Sequence, residues 1–238
     1  MKPPIYVPKG AAKEYGDLAL NIYTGCPHRC YYCFAPGVLH KEREAFHSIV
    51  EPRPGIVEEV KKQLEKEQIT GKLIHLCFTC DPYPTGVDSS ATREVIQLLK
   101  SFGNHVQILT KGDGTRDFDL LDENDWYGIT ISSADNNLAG AAEPGAIDPA
   151  ARLMGLLVAK KSGIKTWVSF EPVIDTDSVL AVIGQYYQAF DRVKIGKLNY
   201  HPSDINWAEF GREAQALCET LGMDYYIKAS LRAEMDKK

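Results

Sequence analysis

The chain predicts an α/β fold with parallel strands, and three observations carry that prediction. Short apolar runs rich in β-formers alternate with segments whose apolar residues recur at helical spacing, the order expected of β/α units. The 238 residues are 44% hydrophobic and 25% charged, enough for one substantial core. No internal repeat, low-complexity tract or long linker divides them, so residues 1–238 read as one catalytic domain with its core at about 18–231.

The elements follow in order. A first strand is expected at 18–23, leading straight into a cysteine-rich loop. A helix at 55–66 places Ile56, Val57, Val60 and Leu64 on one stripe with charges elsewhere. Strand 73–78 comes next, then a helix at 89–102 with Ser89 or Ser90 as N-cap and Val95, Ile96, Leu98 and Leu99 available for burial. Further strands are expected at 106–109, 127–131, 166–170 and 192–195, with helices near 118–121, 150–162, 178–187 and 207–221 between and after them. A short seventh strand at 224–227 is a candidate to close one edge. Residues 35–53 and 134–149 are the longest irregular stretches, and long loops in compact domains are often functional.

The most informative segment is Cys26-x-x-x-Cys30-x-x-Cys33, because three thiolates on one short loop hold only part of a metal centre. A structural zinc site closes on four ligands, whereas a cubane cluster held through three irons keeps the fourth iron open. A noncatalytic zinc-binding interaction module is the alternative, with Cys80, His28 or His75 as the fourth ligand. Using both Cys77 and Cys80 as a second pair would supply five thiols, one too many. Cys218 falls in the apolar stripe of Ala214, Leu217 and Leu221 and reads as a small core residue.

The net charge of −5 argues against a large nonspecific nucleic-acid footprint. His40-Lys41-Glu42-Arg43, like Lys228, Arg232, Lys237 and Lys238, reads as solvated surface. No apolar run approaches bilayer length, and Met1-Lys2-Pro3-Pro4 lacks a signal-type apolar stretch, so a cytoplasmic location without membrane partners is expected. Six cysteines, three of them clustered at ligand spacing, fit a reducing compartment.

The C-x3-C-x2-C loop, with Tyr32 just before its last cysteine, resembles the signature of the radical S-adenosylmethionine (radical SAM) superfamily. That resemblance implies a [4Fe–4S] cluster whose open iron takes S-adenosylmethionine (SAM), and a flavodoxin or ferredoxin type electron donor. It also implies a partial (β/α)6 TIM-type barrel, matching the six β/α units of this chain. In such barrels reactive groups gather at the C-terminal ends of the strands. Those ends carry the cysteine loop, the 77–83 segment, Thr110-Lys111, Ser132-Ser133, Glu171-Pro172 and Gly196.

The expected sites follow from this placement. Cys26, Cys30 and Cys33 would hold the metal, Lys111 would neutralise the methionyl carboxylate, and Thr79, Ser132 and Ser133 would offer hydroxyls. Tyr32 would face the adenine, Asp81 and Glu171 would accept hydrogen bonds, and Gly196 would allow close approach. Thr79-x-Asp81-Pro82, Thr110-Lys111 and Phe170-Glu171-Pro172 are most similar to spore photoproduct lyase and its relatives. Phe34 and Phe78 stand where that branch has a tyrosine and a hydrogen-donating cysteine, leaving Cys80 as the candidate donor and catalytic residue. The substrate classes this leaves are a nucleic acid or nucleobase, a peptide or a small molecule.

Overall fold

A computed structural model describes residues 3–237; Met1, Lys2 and Lys238, which figured in the charge and leader arguments, lie outside the described residues. Eight strands form one sheet in sequential order: β1 (Ile5–Tyr6), β2 (Leu18–Leu20), β3 (Leu73–Leu76), β4 (His105–Thr110), β5 (Trp126–Thr130), β6 (Lys165–Phe170), β7 (Arg192–Ile195) and β8 (Tyr225–Ile227). All neighbours pair in parallel except β1, which runs antiparallel to β2. The expected seventh strand is β8, and β1 is an addition that two residues could not announce by periodicity.

The sheet curls into a barrel. His75 on β3 and Trp167 on β6 are three strands apart in the order, a separation of about 14 Å in a flat sheet. Their ring centroids nevertheless lie 6.2 Å apart. Close approach is possible because β5 carries Gly128 opposite: a Cβ there would fall 2.2 Å from the Trp167 indole nitrogen. On the other face of the strands Ile74, Leu76, Val106, Ile108, Val168 and Val193 are buried. The helices that follow the strands are α3 (Ile56–Glu67), α4 (Ser90–Ser101), α6 (Pro149–Lys161), α7 (Thr176–Tyr186) and α8 (Trp207–Thr220). Val60 and Leu64 of α3 and Val95, Ile96 and Leu99 of α4 join this core, so the apolar stripes read from sequence are the buried ones. A 3-10 turn at Thr115–Leu120 stands where a helix near 118–121 was expected, and α9 (Ala229–Met235) follows β8.

The barrel interior is polar and filled. Tyr15, delivered by the 3-10 turn Gly10–Glu14, donates from its hydroxyl to Glu171 at 2.7 Å and lies 3.1 Å from the Ser169 hydroxyl. His75 stacks on Phe78 at 4.2 Å, and its Nδ1 lies 2.9 Å from the Gln107 amide. Lys228 donates to Glu171, and Lys194 donates to the Glu14 carbonyl. Glu14 also accepts from the Tyr226 hydroxyl at 3.0 Å and the Ala229 N–H at 2.8 Å, so this N-terminal turn bridges to β8 and the start of α9.

Two expectations need correction. The first strand ends at Leu20, because Asn21 uses its side-chain carbonyl to accept the Phe78 and Thr79 N–H groups at 2.8 and 2.9 Å; Tyr23 makes only an isolated bridge to Pro52. The two stretches read as irregular contain α1 (Ala35–Val38), α2 (Arg43–Ser48) and α5 (Asn136–Ala142). These helices are too short for a periodic signal, and the latter two rest on caps: Glu42 accepts from the Glu44 and Ala45 N–H groups, and Asp135 from those of Asn137 and Leu138.

Candidate active site

The cysteine loop leaves β2 and is clasped on two sides. Toward α2, the Cys26 N–H donates to the Phe46 carbonyl at 3.3 Å and His47 Nδ1 donates to the Cys26 carbonyl at 2.8 Å. A Cβ at Gly25 would sit 2.2 Å from the Phe46 carbonyl oxygen, so only glycine permits this approach. Arg43 aims its guanidinium at three loop carbonyls, those of Cys30, Tyr31 and Cys33, at 2.5, 2.8 and 3.3 Å. Toward α5, the Tyr31 N–H donates to the Ala142 carbonyl at 3.0 Å and the Gly145 N–H to the His28 carbonyl at 3.0 Å. The His40–Arg43 stretch, read as solvated surface, thus supplies a clasp: Lys41 also donates to the Thr24 carbonyl at 2.7 Å.

The loop opens onto a cavity of about 130 Å³ whose polar wall is Cys26, Cys30, Cys33, Thr79, Asp81 and Lys111. Tyr32, Phe34, Phe46 and Phe78 supply aromatic surface, and Cys80 lies in the same wall. Burial pushes the thiols up, Cys30 to about 11, and the Cys26 and Cys33 thiols also lie above their usual range. Metal binding at these positions must therefore displace protons.

Lys111 reaches this cavity from the end of β4, its ammonium 5.6 Å from the Tyr32 ring centroid. Burial alone would lower its pKa, but Glu143 and Cys30 outweigh that and hold it above the ordinary lysine value. Among the described residues no side chain or carbonyl accepts a hydrogen bond from its Nζ, and the buried Thr79 hydroxyl is likewise without a partner. A cation and a hydroxyl left free beside three thiols suit a metal centre carrying a zwitterionic ligand.

Beneath this pair lies a buried network. Glu143 accepts from the Tyr32 hydroxyl and from Ser132 Oγ at 2.8 Å, and forms an ion pair with Arg152 Nη2 at 2.6 Å. Burial would raise its pKa, but Lys111, Arg152 and the two hydroxyl donors reverse this and keep the carboxyl below its usual range. Asp81 braces the opposite wall, accepting from the Tyr83 N–H at 2.8 Å, Thr110 Oγ1 at 2.5 Å and the Lys111 N–H at 2.9 Å. His28 Nδ1 lies 3.5 Å from the same carboxylate, while its Nε2 accepts from the Thr85 N–H at 3.3 Å.

Of the residues singled out from sequence, the cavity thus gathers Cys26, Cys30, Cys33, Tyr32, Thr79, Cys80, Asp81 and Lys111. Ser132, Ser133, Glu171 and Gly196 do not line this cavity. Ser132 is buried on Glu143. Ser133 accepts the Asp135 N–H at 3.0 Å and lies 3.4 Å from both Asp175 and Ser178. Glu171 is held by Tyr15, Lys228 and Asn199, and Gly196 is small to admit Glu171 itself, whose Oε1 would lie 2.8 Å from an added Cβ. A position at a strand end fixes the rim, not the direction in which a side chain finds its partner. Sequence reasoning missed Glu143, Arg152, Asn21 and Arg43 as parts of this site; the only signal for Glu143 was its place in a long loop.

The loop thiols are not gathered as a tight single-ion trio in this structure. Tetrahedral thiolates at 2.3 Å from one ion stand roughly 3.8 Å apart. Among the described residues the only His, Cys, Asp or Glu trio with ligand atoms within 4.8 Å of one another is His105, Asp122 and Asp125, away from the cysteine loop. There the Lys100 ammonium already pairs with both carboxylates.

A family model described as the Radical SAM superfamily matches residues 20–178. The chain belongs to the radical SAM superfamily. Its cofactors are accordingly a [4Fe–4S] cluster and SAM, and it is an enzyme of that class, which needs an electron donor. Curated relatives include the uncharacterized protein ORF301 of Acidianus two-tailed virus, 28% identical over 202 residues, covering 75% of this chain and 66% of the relative. The uncharacterized protein MJ0683 of Methanocaldococcus jannaschii is 26% identical over 224 residues, covering 87% and 82%. Among solved structures, a mutant of spore photoproduct lyase aligns with a TM-score of 0.69 at 13% identity, covering 93% of this chain and 79% of that one. Streptococcus suis SuiB bound to its precursor peptide SuiA aligns at 0.67 with 11% identity, covering 94% and 52%. These structural likenesses show a shared fold. No helix among the described residues is long and apolar enough to cross a membrane.

Proposed function

We propose that Cys26, Cys30 and Cys33 hold the cluster through three of its irons, and that Lys111 and Thr79 receive the amino-acid end of SAM. When bound, the two cofactors supply reductive cleavage of a sulfonium and a carbon radical able to remove a hydrogen atom from a substrate. The observation that carries this reading is the convergence in one cavity of three thiols, a free ammonium and a free hydroxyl.

The chain's own residues do the placing. Lys111 offers a charge-assisted hydrogen bond to a carboxylate, and its own position is set by its backbone N–H on Asp81. Tyr32 presents a ring face held from behind by Glu143. Phe34, Phe46 and Phe78 limit water around the thiols, and α2 with Arg43 fixes the loop before any metal arrives. Cys80, in the wall of the cavity, is the candidate hydrogen donor, since Phe34 and Phe78 have no O–H or S–H to give. A flavodoxin or ferredoxin type protein is the electron donor in this reading. The likeness to spore photoproduct lyase favours a nucleobase in nucleic acid as substrate, with lyase-type chemistry; the SuiB likeness makes a peptide the second class to assay.

The test is anaerobic reconstitution with iron and sulfide, followed by chromatography for 5'-deoxyadenosine formed with dithionite and SAM. A brown protein absorbing near 400 nm that forms 5'-deoxyadenosine, faster with one of DNA, RNA or peptide, is the expected result. A colourless protein with stoichiometric zinc would refute the reading.

A further inference from the structure

The segment after β3 holds two cysteines, Cys77 and Cys80, that lie outside the cluster-holding loop. Its backbone is pinned at three successive N–H groups: that of Cys77 donates to the Leu20 carbonyl at 2.9 Å, and those of Phe78 and Thr79 both donate to Asn21. Cys77 takes a left-handed backbone conformation, φ +73°, unusual for a residue with a Cβ. The resulting turn sends both thiols back onto the backbone of residues 22–23. Cys80 Sγ accepts the Tyr23 N–H at 3.4 Å. The Cys77-x-x-Cys80 spacing sets the two thiols on this one turn, and each bears on the protonation of the other. Cys77 is buried, whereas Cys80 is half-buried in the cavity wall.

We infer that Cys77 and Cys80 form a second thiol centre on this wall, a reversible dithiol–disulfide couple whose reaction partners are small disulfides and dithiols. The exposure sets the order of events. Cys80, the accessible member, attacks one sulfur of a small disulfide: a Cys80–S bond forms, the S–S bond of the partner breaks, and its other sulfur leaves as thiolate. Cys77 then gives its proton to solvent and attacks the Cys80 sulfur, forming the internal disulfide and releasing the partner as dithiol. Two hydrogens and two electrons have passed from protein to partner, and a reduced dithiol reverses both steps.

Electrostatics support the assignment of roles. Burial raises the Cys80 thiol, but the Cys77 S–H and the Tyr23 and Ile22 N–H groups outweigh it and bring Cys80 below its ordinary value. Burial and the neighbouring Cys80 push Cys77 well above its own. A reachable outer cysteine and a buried inner one are the pattern of an attacking and a resolving thiol. With the pair oxidised, this part of the wall offers no S–H to anything bound in the cavity. The inference does not depend on the cluster or on SAM.

The experiment equilibrates anaerobically reconstituted protein with graded ratios of reduced and oxidised dithiothreitol, blocks free thiols with iodoacetamide, and maps the digest by mass spectrometry. Cys77 and Cys80 should lose alkylation together as the oxidised fraction rises, in one peptide lighter by two hydrogen atoms, and regain it when reduced dithiothreitol is restored. Cys218, buried on α8, should stay outside any disulfide. In Cys77→Ser, oxidised glutathione should leave a stable mixed disulfide on Cys80; in Cys80→Ser, Cys77 should stay free. Full alkylation of both across the series, or a bond from either to Cys26, Cys30 or Cys33, would overturn the inference. Because 5'-deoxyadenosine is measured on the same preparation, failure of the couple is distinguishable from failure of the cofactor reading.

Discussion

The rim cavity and the barrel interior beneath it are built from the same kinds of side chains and treat them oppositely. In the interior, Tyr15 and Lys228 both donate to Glu171, and Lys194 donates to the Glu14 carbonyl. At the rim, Lys111 and Thr79 face the cysteine loop without partners. A buried polar group costs free energy unless something bonds it, so the bonded interior charges act as a structural plug, although His75 Nε2 has no partner there, while the rim leaves a cation and a hydroxyl for a ligand. Phe78 forms the boundary, lining the cavity on one side and stacking on His75 on the other.

Substitutions in the two regions would break or sharpen this contrast. The largest effect is expected from Cys30→Ala, which should abolish both the 400 nm absorbance and 5'-deoxyadenosine formation; retention of either would place the cluster elsewhere. Next comes a pair that should separate affinity from stability. Lys111→Met should weaken SAM binding roughly 10- to 100-fold, the worth of a charge-assisted hydrogen bond, with little change in unfolding. Glu171→Gln should cost about 1 kcal/mol in urea unfolding, by weakening its bonds to Tyr15 and Lys228 while Glu14 still faces the Lys228 charge at 3.4 Å, and leave SAM affinity unchanged. Equilibrium binding and denaturation of the two variants decide the matter, and the reverse pattern would defeat it.

The interior also makes a pH prediction. Burial, aided by the Lys194 ammonium, pushes His75 down to about 3, against about 6.5 in an unfolded chain. Between these values the unfolded chain binds the proton and the native one does not. Stability is thus fully present above about pH 6.5 and is lost as the pH falls toward 3, by about 3 kcal/mol at pH 4. His75→Phe keeps a ring on Phe78 and removes the titration, so its stability should fall less steeply with acid; parallel pH curves would exclude His75 as the cause. The smallest effect is expected from Arg43→Met. Loss of the carbonyl clasp should shorten the lifetime of the reconstituted cluster several-fold under a chelator, by about 1 kcal/mol, without preventing its assembly.

The same contrast explains what the sequence could disclose. Alternating apolar patterns reveal β3 to β7 and the long helices because each buries a periodic face, as Val60 and Leu64 of α3 do. The cysteine loop and Lys111 were legible because ligand spacing and strand-end position are local properties. The interior plug was not: Tyr15 meets Glu171 across 156 residues of sequence, and nothing near Tyr15 signals the partner. Ser132 and Glu171 look alike from sequence to Thr79, as polar residues at strand ends, and only their partners separate them. Glu143 stayed hidden for the same reason, being defined by Arg152, Tyr32 and Ser132 rather than by its neighbours in the chain.

Electron paramagnetic resonance of the reduced, reconstituted protein, recorded with and without SAM, reaches the central claim most directly. A cluster with one iron unligated by protein should show a signal whose shape changes when SAM is added, and Lys111→Met should need far more SAM to produce the change. A signal indifferent to SAM at any concentration, or a protein that takes up a single zinc and no iron, would contradict the account.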